Sequence, residues 1–367
     1  MLRLIRALTC CALLTLTSAS GFLRAPEPAL NNPRTLREAA GRAGVLIGAA
    51  VRPGRLAESA YAETLAREFN MVEPEDAMKW WVLHARRGEY DFGPGDKIVD
   101  FASRHAMKVR GHTLVWGNTN PSWLVEGRFT PKQLAELLRE HIERVVGHYR
   151  GQVFAWDVVN EALDERGRLR SSLWYDQPGI GLEGKGTAYI EQCFRWAHAA
   201  DPDALLFYND AEGEELNVKS DAIYAMVKDF LRRGVPIHGV GMQMHVEHMH
   251  IDAASVSANV KRLTALGLQV HITELDVSIP VDESGNPRDP QDLQKQADIY
   301  RQIADACLTH RDCTALQMWG FTDRYSWIGS HSKRTRGGAL PFDQNFRAKP
   351  AYAALRSALV AGRVGSR

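Results

Sequence analysis

This sequence has no marked excess of positive or negative charge. It contains 45 Lys and Arg residues and 44 Asp and Glu residues, which give a formal net charge of +1. Proteins that bind nucleic acid usually concentrate Lys and Arg on one face, so the balance argues against a polyanionic partner. Long apolar runs are also missing beyond residue 20, and a membrane-spanning helix needs about 20 such residues. We therefore expect neither nucleic acid nor, once the N-terminal segment is removed, a membrane as a partner.

Cysteine is scarce as well. Of the five cysteines, Cys10 and Cys11 lie in the N-terminal apolar stretch, which leaves three for the rest of the chain. Cys307 and Cys313 enclose only five residues, and in an exported protein this spacing makes them a candidate disulfide pair. Cys193 lies among helical spacings, so we expect a small buried apolar residue without chemistry.

The first twenty residues, MLRLIRALTCCALLTLTSAS, combine a basic start, an apolar run and small residues at the end. This layout is typical of a secretory signal, and a transmembrane anchor is the alternative. We expect a signal peptide over 1–20, an N-terminal extension over 21–33 and one catalytic domain over 34–367. The mature protein would then be exported, either to the periplasm or out of the cell.

Short apolar runs alternate with helical stretches along this domain. Segments such as 131–150 carry apolar residues at every third or fourth position, which indicates amphipathic helices. The apolar runs, each expected to form a strand, cover 44–51, 69–75, 109–116, 153–161, 204–210, 239–245, 268–275 and 315–321. Eight strand–helix repeats predict an α/β fold, a (β/α)8 TIM barrel with a single catalytic domain. A doubly wound open sheet is the alternative, although no G-x-G-x-x-G or P-loop motif follows the first run.

Polar and aromatic residues gather at the trailing ends of the expected strands. Because these ends face one rim of a barrel, the residues should surround one substrate site. They are Glu75, Asp76, His112, Trp116, Asn160, Glu161, Asn209, Asp210, Gln243, His245, Glu274, Asp276 and Trp319.

Two of these acids, Glu161 at the end of the fourth expected strand and Glu274 at the end of the seventh, indicate a reaction. Glycoside hydrolysis needs a carboxyl that protonates the leaving oxygen and a second one that attacks or activates water. A single Glu after a strand is more often a helix cap or a surface residue, so the hypothesis depends on the pair and its polar neighbours. Indole rings pack on the C–H faces of sugars, a role expected for Trp116, Trp319 and Trp327.

Five motifs stand at or near the ends of the expected strands: RGHTLVW (110–116), WDVVNEA (156–162), GVGMQMH (239–245), ITELDV (272–277) and WGFTDRYSW (319–327). In this order they resemble the signatures of glycoside hydrolase family 10, the retaining endo-1,4-β-xylanases. The resemblance extends from about residue 48 to residue 352, nearly the whole chain after the expected signal peptide.

The resemblance implies double displacement through a covalent glycosyl-enzyme, with Glu161 as acid/base and Glu274 as nucleophile about 5–5.5 Å apart. Asn160 would bond the 2-hydroxyl of the sugar that is cleaved, while His245 would hydrogen-bond Glu274 and hold it ionised. Asp276 belongs to the same supporting group. No cofactor is implied, and the partner would be xylan or xylooligosaccharides, bound by a monomer.

The family's substrate contacts map onto a further set of positions, most of them expected on the glycone side of the cleft. They are Glu75, Asp76, Lys79, His112, Trp116, Gln243, Trp319 and Trp327.

The sequence departs from the family pattern at several sugar-binding positions. After Trp116, Gly117 and Thr119 stand where the family has a His and a Gln. Asp76 replaces an amide, and an ionised acid can only accept hydrogen bonds. Ala211 replaces an aromatic residue. We expect the reaction type to be kept and the subsites to differ, with pH-dependent affinity through Asp76 and room for branched glycans at Gly117.

Other interpretations stay open at this point. A carbohydrate-binding barrel without activity would keep the fold, and a related β-glycanase would keep the reaction but act on another glycan. The stretch HVEHMH (245–250) offers three histidines and an acid, which are ligands that suit zinc. Its spacing fits neither a helix face nor a strand face for all three histidines, so we expect no metal.

Overall fold

The structure, a computed structural model, describes residues 33–362. The expected signal peptide and all but the last residue of the expected N-terminal extension lie outside the described residues. Within 33–362, no helix has the length and apolar content that a membrane crossing requires.

Eight parallel strands form the centre of the fold, and each overlaps one of the runs expected from the sequence. Numbered β1 to β8 in chain order, they are Leu46–Val51, Met71–Pro74, Lys108–Gly111, Val153–Asn160, Leu205–Asp210, Gly239–Met242, Gln269–Val277 and Cys313–Met318. Their side chains are almost entirely buried, because the barrel interior covers one face and the helices cover the other.

The sheet closes on itself. Each strand pairs in parallel with the next, and β8 returns to β1 with Ala315 opposite Leu46. This closure confirms the (β/α)8 barrel and excludes the doubly wound open sheet, which would leave two edge strands unpaired. The carboxyl ends of the strands therefore share one rim.

Helices surround this barrel. Numbered α1 to α12 in chain order, they are Leu36–Ala43, Ser59–Glu68, Trp80–Leu83, Gly93–Arg104, Ser122–Val125, Pro131–His148, Ala188–Ala200, Val218–Arg232, Ala253–Thr264, Asp292–Leu308, Ile328–His331 and Pro350–Ala361. Two 3₁₀ helices cover Pro53–Ala57 and Asp323–Tyr325. Two-residue strands extend the rim at Val115–Trp116, His245–Val246, Ile279–Pro280 and Arg336–Gly337.

Helix α6 illustrates how the local sequence determines these boundaries. Thr130 caps its N-terminus, and the side chains of Thr130 and Gln133 bond each other's backbone N–H in a capping box. Pro131 occupies the first helical position, where its missing N–H costs nothing. Leu138 and Ile142, four residues apart, are fully buried on the face that packs inward.

The cysteines take the expected positions in the structure. Cys307 near the end of α10 and Cys313 at the start of β8 form a disulfide with an S–S distance of 2.03 Å. Cys193 is a buried thiol in α7.

The glycine in β3 is required by close packing. A Cβ added at Gly111 would lie 2.2 Å from an indole carbon of Trp156, which is fully buried and has no space to move. We expect Gly111→Ala to lower the free energy of unfolding by about 1–3 kcal/mol, the usual cost of overpacking a core. Urea unfolding monitored by circular dichroism measures the change.

Gly147→Ala is the matched control, because no atom lies within 4 Å of the added Cβ on the exposed side of α6. Its stability should be equal or higher by about 0.5–1 kcal/mol, since Ala favours the helix over Gly. Equal unfolding midpoints for Gly111→Ala and the wild-type protein would contradict the packing argument.

Candidate active site

Glu161 follows the last residue of β4 in an unusual backbone conformation. Its φ of 53° lies in the left-handed region, which costs free energy for a residue with a Cβ. The backbone N–H of Glu161 donates to the carbonyl oxygen of Asn209 at the end of β5 (2.9 Å). The neighbouring strand therefore holds this conformation in place.

Three donors surround the partly exposed carboxyl of Glu161. Trp116 Nε1 donates to Oε2 (3.0 Å), and Gln243 Nε2 donates to Oε1 (2.9 Å). The amide of Asn160 also donates to Oε1, at 3.3 Å. These bonds fix the position of the carboxyl and leave part of its surface open to the cleft.

The carboxyl of Glu274, in β7, is buried and only 5% exposed. Its Oε1 accepts from Asn209 Nδ2 (2.8 Å), and its Oε2 lies 3.3 Å from His245 Nε2. Burial by itself would raise the pKa of Glu274, but the hydrogen bond from His245 and the charges of His112 and His245 outweigh it. The pKa lies below its ordinary value, so Glu274 is ionised at neutral pH.

The imidazole of His245 lies between two acids. Its Nδ1 is 3.1 Å from Asp276 Oδ2, an oxygen that also accepts from Trp327 Nε1 (2.9 Å). Burial alone would lower the pKa of His245, but the charges of Asp276 and Glu274 and the bonds to them raise it well above its ordinary value. Imidazolium is therefore the stable form at neutral pH, and it supplies the positive charge that the buried Glu274 needs.

A short amide network connects the two glutamates. Asn209 Nδ2 donates to Asn160 Oδ1 (2.9 Å) as well as to Glu274, and Asn209 Oδ1 accepts from Thr273 Oγ1 (2.7 Å). Since Asn160 in turn bonds Glu161, the carboxyls belong to one hydrogen-bonded unit at one rim.

A second charged group lies in the barrel interior beneath this unit. The guanidinium of Arg110 donates to both carboxylate oxygens of Asp157 and to Glu73 Oε2 (2.7 Å). His112 Nδ1 lies 3.0 Å from Asp157 Oδ2. Burial raises the pKa of Glu73 to about 7, whereas the attraction of Arg110 and the bond from His112 outweigh burial and lower the pKa of Asp157.

Glu73, His112 and Asp157 have ligand atoms within 4.8 Å of one another, which is close enough to share a metal ion. The guanidinium of Arg110 already bonds both acids, and its charge would repel a cation. We therefore interpret the group as an internal ion-pair network. The three histidines of HVEHMH do not form such a group in the described part of the chain.

Aromatic rings and a lysine form one wall of the cleft. Lys79 Nζ lies 5.0 Å from the ring centroid of Trp116 and 5.3 Å from that of Trp319. His112 contacts Trp319 edge to face at 5.3 Å, but it is only 1% exposed, so it supports the wall from behind.

Asp76, where the resemblance leads one to expect an amide, is surrounded by cations. Arg52 Nη2 lies 3.1 Å from Asp76 Oδ2 and 2.7 Å from Glu75 Oε1, while Lys79 Nζ lies 3.4 Å from Asp76 Oδ1. The carboxylate is thus paired on both sides and acts as an acceptor, as expected for an ionised acid.

The structure brings several residues to the site whose roles the local sequence does not indicate. The sequence predicts Asn209 only as one of the polar residues at the strand ends. Its contacts with Asn160 and Glu274 depend on the fold. Arg110 and Asp157 lie inside apolar runs, where a charged residue indicates a buried partner. Trp81, 46% exposed, lines the cleft beside Lys79 and Asp76.

An ionised buried carboxylate and a partly exposed carboxyl within one network, at the carboxyl rim of a (β/α)8 barrel, define a glycoside hydrolase site. Residues 35–358 match the family model "Glycosyl hydrolase family 10", and the chain belongs to this family.

Two curated relatives and one solved structure are similar over most of their length. Endo-1,4-beta-xylanase B of Thermotoga neapolitana is 44% identical over 296 residues, covering 81% of this chain and 82% of the relative. Beta-1,4-xylanase of Dictyoglomus thermophilum is 40% identical over 348 residues, covering 93% and 95%. Xylanase 10B of Thermotoga petrophila, solved in complex with xylobiose, aligns with a TM-score of 0.83 and 41% identity, covering 89% of this chain and 97% of that one.

Removing one member of the buried charge network should be costly. We expect Asp157→Asn to lower the free energy of unfolding by about 3–5 kcal/mol, because it leaves the Arg110 guanidinium short of a counter-charge in the barrel interior. Denaturant unfolding of the purified variant measures the loss.

Asp221→Asn makes the same chemical change at the surface, where Asp221 is 67% exposed and pairs with Arg262. It should cost less than about 1 kcal/mol. A loss in Asp157→Asn no larger than in this control would mean that the buried network does not stabilise the barrel.

Proposed function

We propose that the protein is a retaining endo-1,4-β-xylanase that cleaves internal β-1,4 bonds of xylan. The observation that carries the proposal is the hydrogen-bonded unit that joins an ionised Glu274 to Glu161 in a member of family 10. The relatives named xylanases and the related enzyme that binds xylobiose support xylan and xylooligosaccharides as the substrate.

In the first step, the Glu274 carboxylate attacks the anomeric carbon as the glycosidic C–O bond breaks and Glu161 gives its proton to the leaving oxygen. In the second step, water attacks the glycosyl-enzyme ester and Glu161 accepts its proton.

The neighbours of the glutamates have supporting roles in this proposal. His245 and Asp276 hold Glu274 ionised and correctly placed, while Asn160 bonds the 2-hydroxyl of the reacting sugar as positive charge develops in the transition state. Gln243 positions Glu161, to which it donates at 2.9 Å. Side chains and water suffice for each step.

The cleft walls would bind the flanking sugars. Trp116, Trp319 and Trp327 offer rings for the C–H faces of xylose units, and Lys79 donates hydrogen bonds. Asp76, paired with two cations, accepts hydrogen bonds where an amide would also donate them. An added Cβ at Gly117 would meet only Ser172, at 3.5 Å, which supports the proposed room for branches.

The proposed location is outside the cytoplasm, in the periplasm or the medium, after removal of residues 1–20. The layout of these residues supports export, and a polymeric substrate such as xylan is met outside the cell. We propose that the mature enzyme is a monomer that does not bind membranes.

Substitution of either glutamate tests the reaction. Wild-type protein should release short xylooligosaccharides from xylan, whereas Glu274→Ala and Glu161→Ala should each lose roughly several hundredfold or more in rate, as expected for a positioned proton-transferring or nucleophilic carboxyl. Product analysis on linear xylooligosaccharides, decorated xylan and β-glucan measures both the loss and the substrate preference.

The anomer formed first, followed by proton NMR, reports the stereochemistry, and the β anomer is expected from double displacement. Binding of xylan without release of sugar by any of the three proteins would replace the proposal with a carbohydrate-binding barrel. Faster cleavage of β-glucan than of xylan would assign a different glycan.

The role of Asp276 predicts a change in the pH profile. Asp276→Asn removes the charge that keeps His245 protonated, so the pKa of Glu274 should rise. The acidic limb of kcat/KM against pH should then move to higher pH. Glu247→Gln, which removes an exposed acid two residues from His245, should leave the profile unchanged. A lower rate with an unmoved acidic limb would show that Asp276 has only a structural role.

A further inference from the structure

A cleft of about 210 Å³ is lined by Trp319 and Trp327. Glu75, Arg52 and Arg55 also line it. The cleft is therefore continuous with the part of the site where the sugars of the glycone would stack.

Arg52 is largely satisfied within the protein. Its Nη2 pairs with Glu75 at 2.7 Å and with Asp76 at 3.1 Å, and Lys79 approaches Asp76 from the other side at 3.4 Å. These two cations and two acids balance one another, so this group has no net charge.

Arg55 differs, because no acidic side chain of the described residues lies within ion-pair distance of it. Its guanidinium carbon lies 3.9 Å from the ring centroid of Tyr325. Tyr325 is itself held by a 2.6 Å hydrogen bond to Glu58, whose charge is matched by Arg324 at 3.7 Å. Arg55 is thus an exposed cation that forms no ion pair within residues 33–362 and lies over a fixed aromatic ring.

This geometry is suited to a carboxylate. A guanidinium stacked on a ring keeps its N–H edges free and presents them as a planar fork that matches two carboxylate oxygens. The stacking also reduces the side-chain entropy lost when a ligand binds, because the ring already restricts the guanidinium.

We propose that Arg55 forms a subsite for the carboxylate of a uronic-acid branch on the glycan. The inference rests on the proposed function, because the neutral backbone sugars must occupy the adjoining tryptophan wall for the branch to reach the cleft. It makes Arg55 a specificity-determining residue that selects acidic over neutral branches.

The test compares two matched substrates, a xylooligosaccharide with a glucuronic-acid branch and its carboxyl-reduced form, in which the branch is neutral glucose. The wild-type protein should favour the acidic form in kcat/KM by roughly fivefold, as expected for an exposed bidentate ion pair. Arg55→Gln should reduce this ratio to about one without changing kcat/KM for the neutral form. Arg55→Lys should keep only part of the preference, because lysine retains the positive charge but lacks the planar pair of N–H donors.

Arg334→Gln is the control, since it removes the same charge from an exposed loop position outside this cleft. It should keep the wild-type ratio. Equal rates on both substrates in wild type, or an unchanged ratio in Arg55→Gln, would overturn the subsite.

If neither substrate is hydrolysed, the proposed function is wrong, but the subsite can still be tested. Calorimetric titration then measures the affinity of the protein for each of the two oligosaccharides. Tighter binding of the acidic form that is lost in Arg55→Gln supports the subsite, and equal affinities in wild type overturn it. Competition by free glucuronate as strong as by the branched oligosaccharide would also overturn it, since the site would then bind any small carboxylate.

Discussion

The burial of one ionised carboxylate, that of Glu274, is the constraint on which the rest of the site depends. A lone carboxylate inside a barrel would take up a proton and lose its reactivity, because the interior solvates charge poorly. The protein stabilises it with an imidazolium, His245, on one oxygen and an amide, Asn209, on the other. Asp276 in turn keeps that imidazolium charged, so Asp276 and the Trp327 that bonds it act on Glu274 indirectly.

The charged residues deeper in the barrel meet the same requirement. Glu73 and Asp157 would otherwise add two negative charges beneath Glu274, and the charge of Glu274 does contribute to the raised pKa of Glu73. Arg110 compensates for both acids, and His112 adds positive charge on the side that faces Glu274. Acidic and basic side chains thus alternate in the barrel interior beneath Glu274, and the position of each depends on its charged neighbours.

The sequence predicted the eight strands and the ring of polar residues because both depend on local periodicity and on the shared direction of the strands. It predicted less well where contacts between distant residues decide the structure. The third run, expected as one strand over 109–116, ends at Gly111 and resumes only at Val115, since the intervening residues turn inward and His112 bonds Asp157. The pairing of Arg52 with Glu75 likewise joins residues 23 positions apart, and no local pattern indicates it.

The amide of Asn209 has a consequence for the order of events in the reaction cycle. One NH₂ group donates both to Glu274 and to Asn160, which bonds Glu161, so the same amide helps to position both glutamates. When Glu274 becomes an ester, its oxygen is a poorer acceptor and the shared amide shifts its bonding toward Asn160. In the proposed reaction, both half-reactions therefore depend on one amide, which contacts the nucleophile directly and the acid/base through Asn160.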